Sequence, residues 1–155
     1  MKTKSNIYLL VFIMLVACKS QTSSISPITK AEMLQIAKEG DQKFSIGVQK
    51  RDSSFLAEIY SDSAQYVQPN NKIIKGKIEI SKDWGEFIRS KAKPVDLILN
   101  IDEVRGTREI IYETGNGYAL LSDSIKWNFN YVNVWRLQTT GKYKLEIDTY
   151  TPLDK

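Results

Sequence analysis

The side chains in this sequence that could do chemistry are gathered toward its end, between Trp127 and Tyr150. Trp127, Phe129, Tyr131, Asn133, Trp135 and Leu137 alternate with Asn128, Asn130, Val132, Val134 and Arg136. Period-two alternation rich in aromatic and β-branched residues marks a strand. Thr139-Thr140-Gly141 supplies a turn, because Gly accepts the positive φ of tight hairpins. A second strand returns from Lys142, with Tyr143, Leu145 and Ile147 on one face and Lys144, Glu146, Asp148 and Tyr150 on the other. A loop of two or four residues sets Asn133 opposite Asp148 and Tyr131 opposite Tyr150, and gathers them with Trp135 on one face. A three-residue loop breaks that pairing. The chemistry on offer is a carboxylate beside an amide, walled by phenols and an indole. Convergent polar groups among aromatic walls are how small-molecule sites are built. The plainer alternative is a packed interior in which Asp148 pairs with Asn133 or Arg136.

Composition narrows the chemistry further. There is no histidine, which removes the commonest general base, the commonest metal ligand and every Ser/His or Cys/His nucleophile arrangement. Cys18 is the single cysteine, so no intramolecular disulfide forms and no thiol is left for a metal cluster. No Gly-rich phosphate loop and no clustered carboxylate motif is present. No cofactor and no metal is expected, and any proton chemistry falls to Asp, Glu, Tyr or Lys.

The first 17 residues read as a leader. Lys2 and Lys4 form a basic start, and Ile7 to Val16 is almost wholly apolar but too short to span a bilayer. Leu15-Val16-Ala17-Cys18 resembles the lipobox of bacterial lipoproteins, which implies a signal peptide over 1–17 and a lipidated Cys18. Residues 18–28, rich in Ser and Thr, then form a flexible tether. Lys19 follows the cysteine where an Asp would imply retention. The expected location is therefore across the inner membrane, lipid-anchored in the outer membrane and facing the periplasm. Losing Lys2 and Lys4 leaves 20 basic against 18 acidic residues, so the formal net charge falls from +4 to +2. No basic run carries interleaved aromatics, and nucleic-acid binding is not expected. The processed chain of 138 residues suits one domain, 29–155.

Helices must position the strands. Thr29-Lys30-Ala31-Glu32 is a capping box opening a helix to about Lys50, with a stripe at Leu34, Ala37, Asp41, Phe44 and Val48. Asp41 is either a carboxylate turned inward or, more economically, the wet edge of a stripe centred on Met33, Ala37, Phe44 and Val48. Asp52 caps a short second helix carrying Phe55, Leu56, Ile59 and Tyr60, and Ala64 to Gln68 alternates as a strand. After a turn at Pro69-Asn70-Asn71, Gly76 opens a third helix with Ile80, Trp84, Phe87 and Ile88 inward. Pro94 stops it. Val95 to Asp102 is a strand, and Arg108 to Ser122 returns, interrupted by Gly115-Asn116-Gly117. Those glycines read as a bulge or sharp bend, or as a second tight turn.

Asp41-Gln42-Lys43-Phe44, Arg51-Asp52, Ile59 to Ala64, Gln68-Pro69-Asn70 and Gly76 to Trp84, followed by Tyr131 to Arg136 and Gly141 to Leu145, resemble a SnoaL-like or DUF4440-type domain of the NTF2-like superfamily. The resemblance runs from about Thr29 to Pro152. It implies an α+β fold, an NTF2-like cone of three N-terminal helices on a strongly curved, mostly antiparallel sheet, with the site inside. Set against ketosteroid isomerase, another member of that superfamily, the tyrosine position falls on Phe44, the base on Gln68 and the oxyanion aspartate on Asn133. Phe donates no hydrogen bond and Gln does not ionise, so isomerase chemistry of that kind is not expected.

The site implied comprises Tyr66, Gln68, Trp84, Tyr131, Asn133, Trp135, Asp148 and Tyr150. Two functions of different class follow. One is a non-catalytic lipoprotein domain binding a small apolar or aromatic ligand or a partner protein. The other is a small cofactor-free enzyme of isomerase, cyclase or lyase type, with Asp148 as base and Tyr66 or Tyr150 as donor. The ionisation of Asp148 separates them. In many relatives the open sheet face serves dimerisation, and Val132 and Val134 fit that role here.

Overall fold

The computed structural model describes residues 27–90, 94–122 and 124–153. The expected leader, Cys18 and most of the tether lie outside the described residues. Helix α1 spans Lys30–Lys50, and both halves of its capping box form: Glu32 N–H donates to the Thr29 hydroxyl, and the Thr29 N–H donates to the Glu32 carboxylate. Met33, Ala37, Phe44 and Val48 are buried along it. The second helix, α2, is only Ser53–Ala57, capped by Asp52. The sequence reading carried this helix through Tyr60. Instead Tyr60 opens strand β1, Tyr60–Val67. After β2, Ile73–Lys75, helix α3 covers Lys77–Arg89 and buries Ile80, Trp84 and Ile88. Four strands complete the chain: β3 Pro94–Gly106, β4 Ile110–Leu121, β5 Lys126–Leu137 and β6 Tyr143–Pro152.

Three helices form, the second shorter than expected, but the sheet is not the expected strongly curved cone. The six strands form one open sheet in the order β2-β1-β6-β5-β4-β3, with free edges at β2 and β3. It is mixed, since β1 and β6 run parallel, and it is not strongly curved. The reason lies partly in Gly115 and Gly117, which do not bend or split their strand. Both pair continuously with β3 and β5. A Cβ on Gly115 would lie 2.6 Å from the Tyr131 hydroxyl, and one on Gly117 3.1 Å from the Phe129 ring. Closer still, at 2.3 Å, are the Asn100 and Ile98 carbonyl oxygens of β3, so the glycines admit both the neighbouring backbone and the rings, and the bulge sits opposite them in β3, between Ile101 and Glu103.

The β5–β6 hairpin reaches the expected register by an unexpected route. Leu137 faces Tyr143, and Gln138 N–H donates to the Lys142 carbonyl at 2.9 Å, which leaves a three-residue tip. Such a tip alone would put Asn133 out of register with Asp148. A one-residue bulge between Val134 and Trp135, with Glu146 as the extra residue of β6, restores it. Asn133 is opposite Asp148, and Tyr131 opposite Tyr150. The bulge also turns Leu145 inward beside Asp148 and leaves Ile147 37% exposed, where simple alternation had put those two on one face.

Candidate functional site

Alternation along β4 and β5 and the bulge in β6 aim a row of side chains under the helices. Tyr66, Trp84, Tyr131, Asn133, Asp148 and Tyr150, six of the eight residues read from the sequence, line one cavity of about 60 Å³. Phe44, Phe87, Trp127 and Phe129 complete its walls. Tyr66 and Trp84 stack with centroids 6.2 Å apart, and Tyr66 stacks on Tyr150 at 5.9 Å. Gln68 stands outside this space. It lines an outer chamber of about 310 Å³ and donates to Asp83 at 2.8 Å. Tyr66, Trp84, Phe87, Trp127 and Tyr150 line both spaces.

Asp148 is buried, and its carboxylate accepts from the Tyr60 hydroxyl at 2.5 Å. The Trp84 indole N–H donates to that hydroxyl at 3.0 Å, so an indole–phenol–carboxylate relay fixes the acid. Arg136 does not reach it and lies 3.7 Å from Glu146 instead. Burial pushes the Asp148 carboxyl up to about 7, against the Tyr60 hydrogen bond and with help from the charge of Glu113. Burial and the neighbouring Asp148 likewise hold the Tyr60 phenol well above its ordinary value. Asn133 is 2% exposed, and its Oδ1 has no protein partner. The polar end of the cavity is thus one acid that titrates near neutrality beside one unpartnered amide oxygen. Phe44 lines the cavity where it can only pack.

Trp135, the eighth residue, faces the same side but lies too far along β5. Its indole N–H donates to Glu113 at 2.6 Å, and Tyr131 donates to the other Glu113 oxygen at 2.7 Å. Asp41 Oδ2 is 3.4 Å from the Tyr131 hydroxyl. Asp41 is therefore inside, 8% exposed, and not at the wet edge of its helix. Burial first, then the charge and hydrogen bond of Glu113, raise its carboxyl to about 9. Asp41 therefore keeps its proton through neutral pH. Gly40 seats Trp135, since a Cβ there would lie 2.2 Å from the indole. Gly40→Ala is expected to push the indole off Glu113 and cost about 1–3 kcal/mol, read as a lowered urea midpoint with altered near-UV circular dichroism. An unchanged midpoint would mean that α1 yields there freely.

No family model and no curated protein matches this sequence. Solved structures match it closely in shape. A domain with a cystatin-like fold from Nostoc punctiforme superposes with a TM-score of 0.72 at 14% identity, covering 83% of this chain and 81% of its own. An NTF2-like superfamily protein from Salmonella enterica serovar Typhimurium gives 0.64 at 13% identity, covering 82% and 95%. A ketosteroid isomerase-like protein from Erwinia carotovora atroseptica gives 0.65 at 12%, covering 80% and 98%. At such identities the likeness is one of architecture, and the SnoaL-like or DUF4440-type assignment rests on the sequence motifs alone. The chain has the fold of the NTF2-like superfamily.

Proposed function

We propose that this domain binds a small, largely apolar ligand in the aromatic cavity without transforming it. The observation that carries the reading is Asn133 Oδ1, a buried acceptor with no protein donor on the wall of a ring-lined space. A buried polar atom left unpaired is costly, and a ligand donor would relieve that cost. The cavity of about 60 Å³ admits a compact group, while the outer chamber has room for a longer remainder.

A second reading, an enzyme with Asp148 as general base, is favoured by the carboxyl poised near 7 in an apolar setting. Turnover of a candidate substrate would then rise with pH through about 7 and vanish in Asp148→Asn. Tyr60, already hydrogen-bonded to the acid, would position it.

The leader motif supports anchoring of the chain through a lipid on Cys18 to a membrane facing the periplasm. The helix-free face of the sheet supports self-association: Tyr112 is 51%, Val132 39% and Ile147 37% exposed on adjacent strands, with Val134 between them buried. One experiment addresses all of these. Native mass spectrometry of the full chain, extracted from its host in mild detergent, is expected to show a bound small molecule, the added mass of a lipid, and the oligomeric state. An empty protein that stays empty against small-molecule panels would end the ligand reading.

A further inference from the structure

We propose that the ligand presents an organic cation, an alkylated ammonium, to the aromatic cavity. This rests on the cavity being a ligand site and names the chemistry of its occupant.

Three independent features converge on that charge. The first is the arrangement of the rings. Tyr66 stacks on Trp84 with planes 9° apart, and Tyr150 continues the stack. Trp127 meets Tyr150 edge to face at 5.3 Å. Stacked and perpendicular rings together wall this small space with π-systems. Ring faces carry the negative part of the quadrupole, which attracts a cation whose charge is spread over methyl groups.

The second feature is the sign of the charged walls. The charged residues lining the inner and outer spaces are Asp148, Asp83 and Glu86. Among the described residues no Lys or Arg lines either one. Lys72 pairs with Asp83 at 3.1 Å, but its side chain is 54% exposed and lies outside the walls. An anionic ligand would meet carboxylates at both ends of its path. A cation would be drawn along it.

The third is the polar end. Asn133 Oδ1 and the Asp148 carboxyl are both acceptors when the acid is ionised, and Tyr60 donates to Asp148. A neutral hydrocarbon would leave both oxygens facing carbon. The polarised methyls or N–H groups of an ammonium would complement them. The cation would also favour ionised Asp148, so affinity should rise with pH through about 7.

The test compares choline with 3,3-dimethylbutan-1-ol, which has the same shape with carbon in place of the charged nitrogen. Both are titrated into the full-length chain by calorimetry and by tryptophan fluorescence, since Trp84 and Trp127 line the site. Choline is expected to bind about tenfold more tightly than the neutral alcohol at slightly alkaline pH. Asp148→Asn, which keeps the shape but removes the charge, should weaken choline and so erase most of that difference. Trp127→Leu, at a half-buried wall, should weaken choline more than the alcohol. Equal affinities would overturn the cation and leave the ligand reading standing, as would a neutral or anionic molecule found bound to the native protein. No binding of either probe by a protein that is also empty from its host would overturn both.

Discussion

Glu113→Ala is expected to cost about 3–5 kcal/mol of folding stability. Glu113 is fully buried on β4, between β5 and the edge strand β3. It accepts from Tyr131 at 2.7 Å and from Trp135 at 2.6 Å, and its charge and hydrogen bond help to hold the proton on Asp41. Truncation strands all three of these groups away from water, and each orphaned donor carries a penalty of about 1–3 kcal/mol. Removing a buried charge returns some of that cost, which keeps the total below the simple sum. The measurement is urea unfolding followed by circular dichroism. A small domain holds only about 5–15 kcal/mol in reserve, so this variant sits near the edge of folding. Glu113→Gln supplies the control. Its amide oxygen still accepts one donor, but its NH₂ group faces the other, so about half of the loss should return. If Glu113→Ala unfolds within about 1 kcal/mol of the parent, the network does not stabilise this fold.

None of that network was visible as a unit in the sequence, although part of the signal was there. Ile111, Glu113, Gly115, Gly117 and Ala119 share one parity, and all turn inward. Reading the two glycines as a bend broke that parity and hid Glu113 among them. Asp41 was visible as an interruption in an apolar stripe, but its partner is 72 positions away in sequence, and without that partner an exposed carboxylate is the cheaper assumption. Tyr60 was hidden for a different reason. Its pairing with Leu145 is out of step with the rest of β1, where the register resumes only at Gln65, so no clean alternation marks it as strand.

By contrast, Tyr131, Asn133, Asp148 and Tyr150 were legible because a half-buried hairpin admits few registers. The true hairpin has the loop length that should have broken the pattern and a bulge that mends it. Two one-residue irregularities cancel, and alternation alone cannot reveal either. Helix α1 was legible from its capping box and α3 from its apolar periodicity. Sheet curvature was not, because it depends on what the glycines accommodate, here the Ile98 and Asn100 carbonyls of β3 and the rings of Tyr131 and Phe129.

The second large effect is a stability that falls as pH rises from acid toward neutral, opposite to ordinary acid denaturation. In the unfolded chain Asp41 and Asp148 ionise near about 3.9. In the folded protein they keep their protons to about 9 and about 7. Between the unfolded and folded values the native state binds more protons than the unfolded state. The stability each group contributes is thus fully present below about pH 4 and is lost as pH climbs toward its folded value, by about 1.4 kcal/mol per unit per group at most. Both groups act up to about pH 7, and Asp41 alone continues above it. At the acid end, carboxylates with lowered values act in the other direction. Glu32, held down by the Thr29 backbone and side-chain hydrogen bonds, loses its contribution as pH falls through its folded value. Maximum stability should therefore lie between about pH 4 and 5. Asp41→Asn isolates the main cause. Its amide can donate to Glu113 as the protonated acid does, yet it has no proton to lose. The variant should be slightly less stable than the parent at about pH 5 and more stable by about 1–3 kcal/mol at about pH 8, with a flatter profile between. Chemical unfolding at those two pH values measures both. A parent whose stability is level across that range, or a variant weakened equally at both ends, would mean that Asp41 ionises in the folded protein.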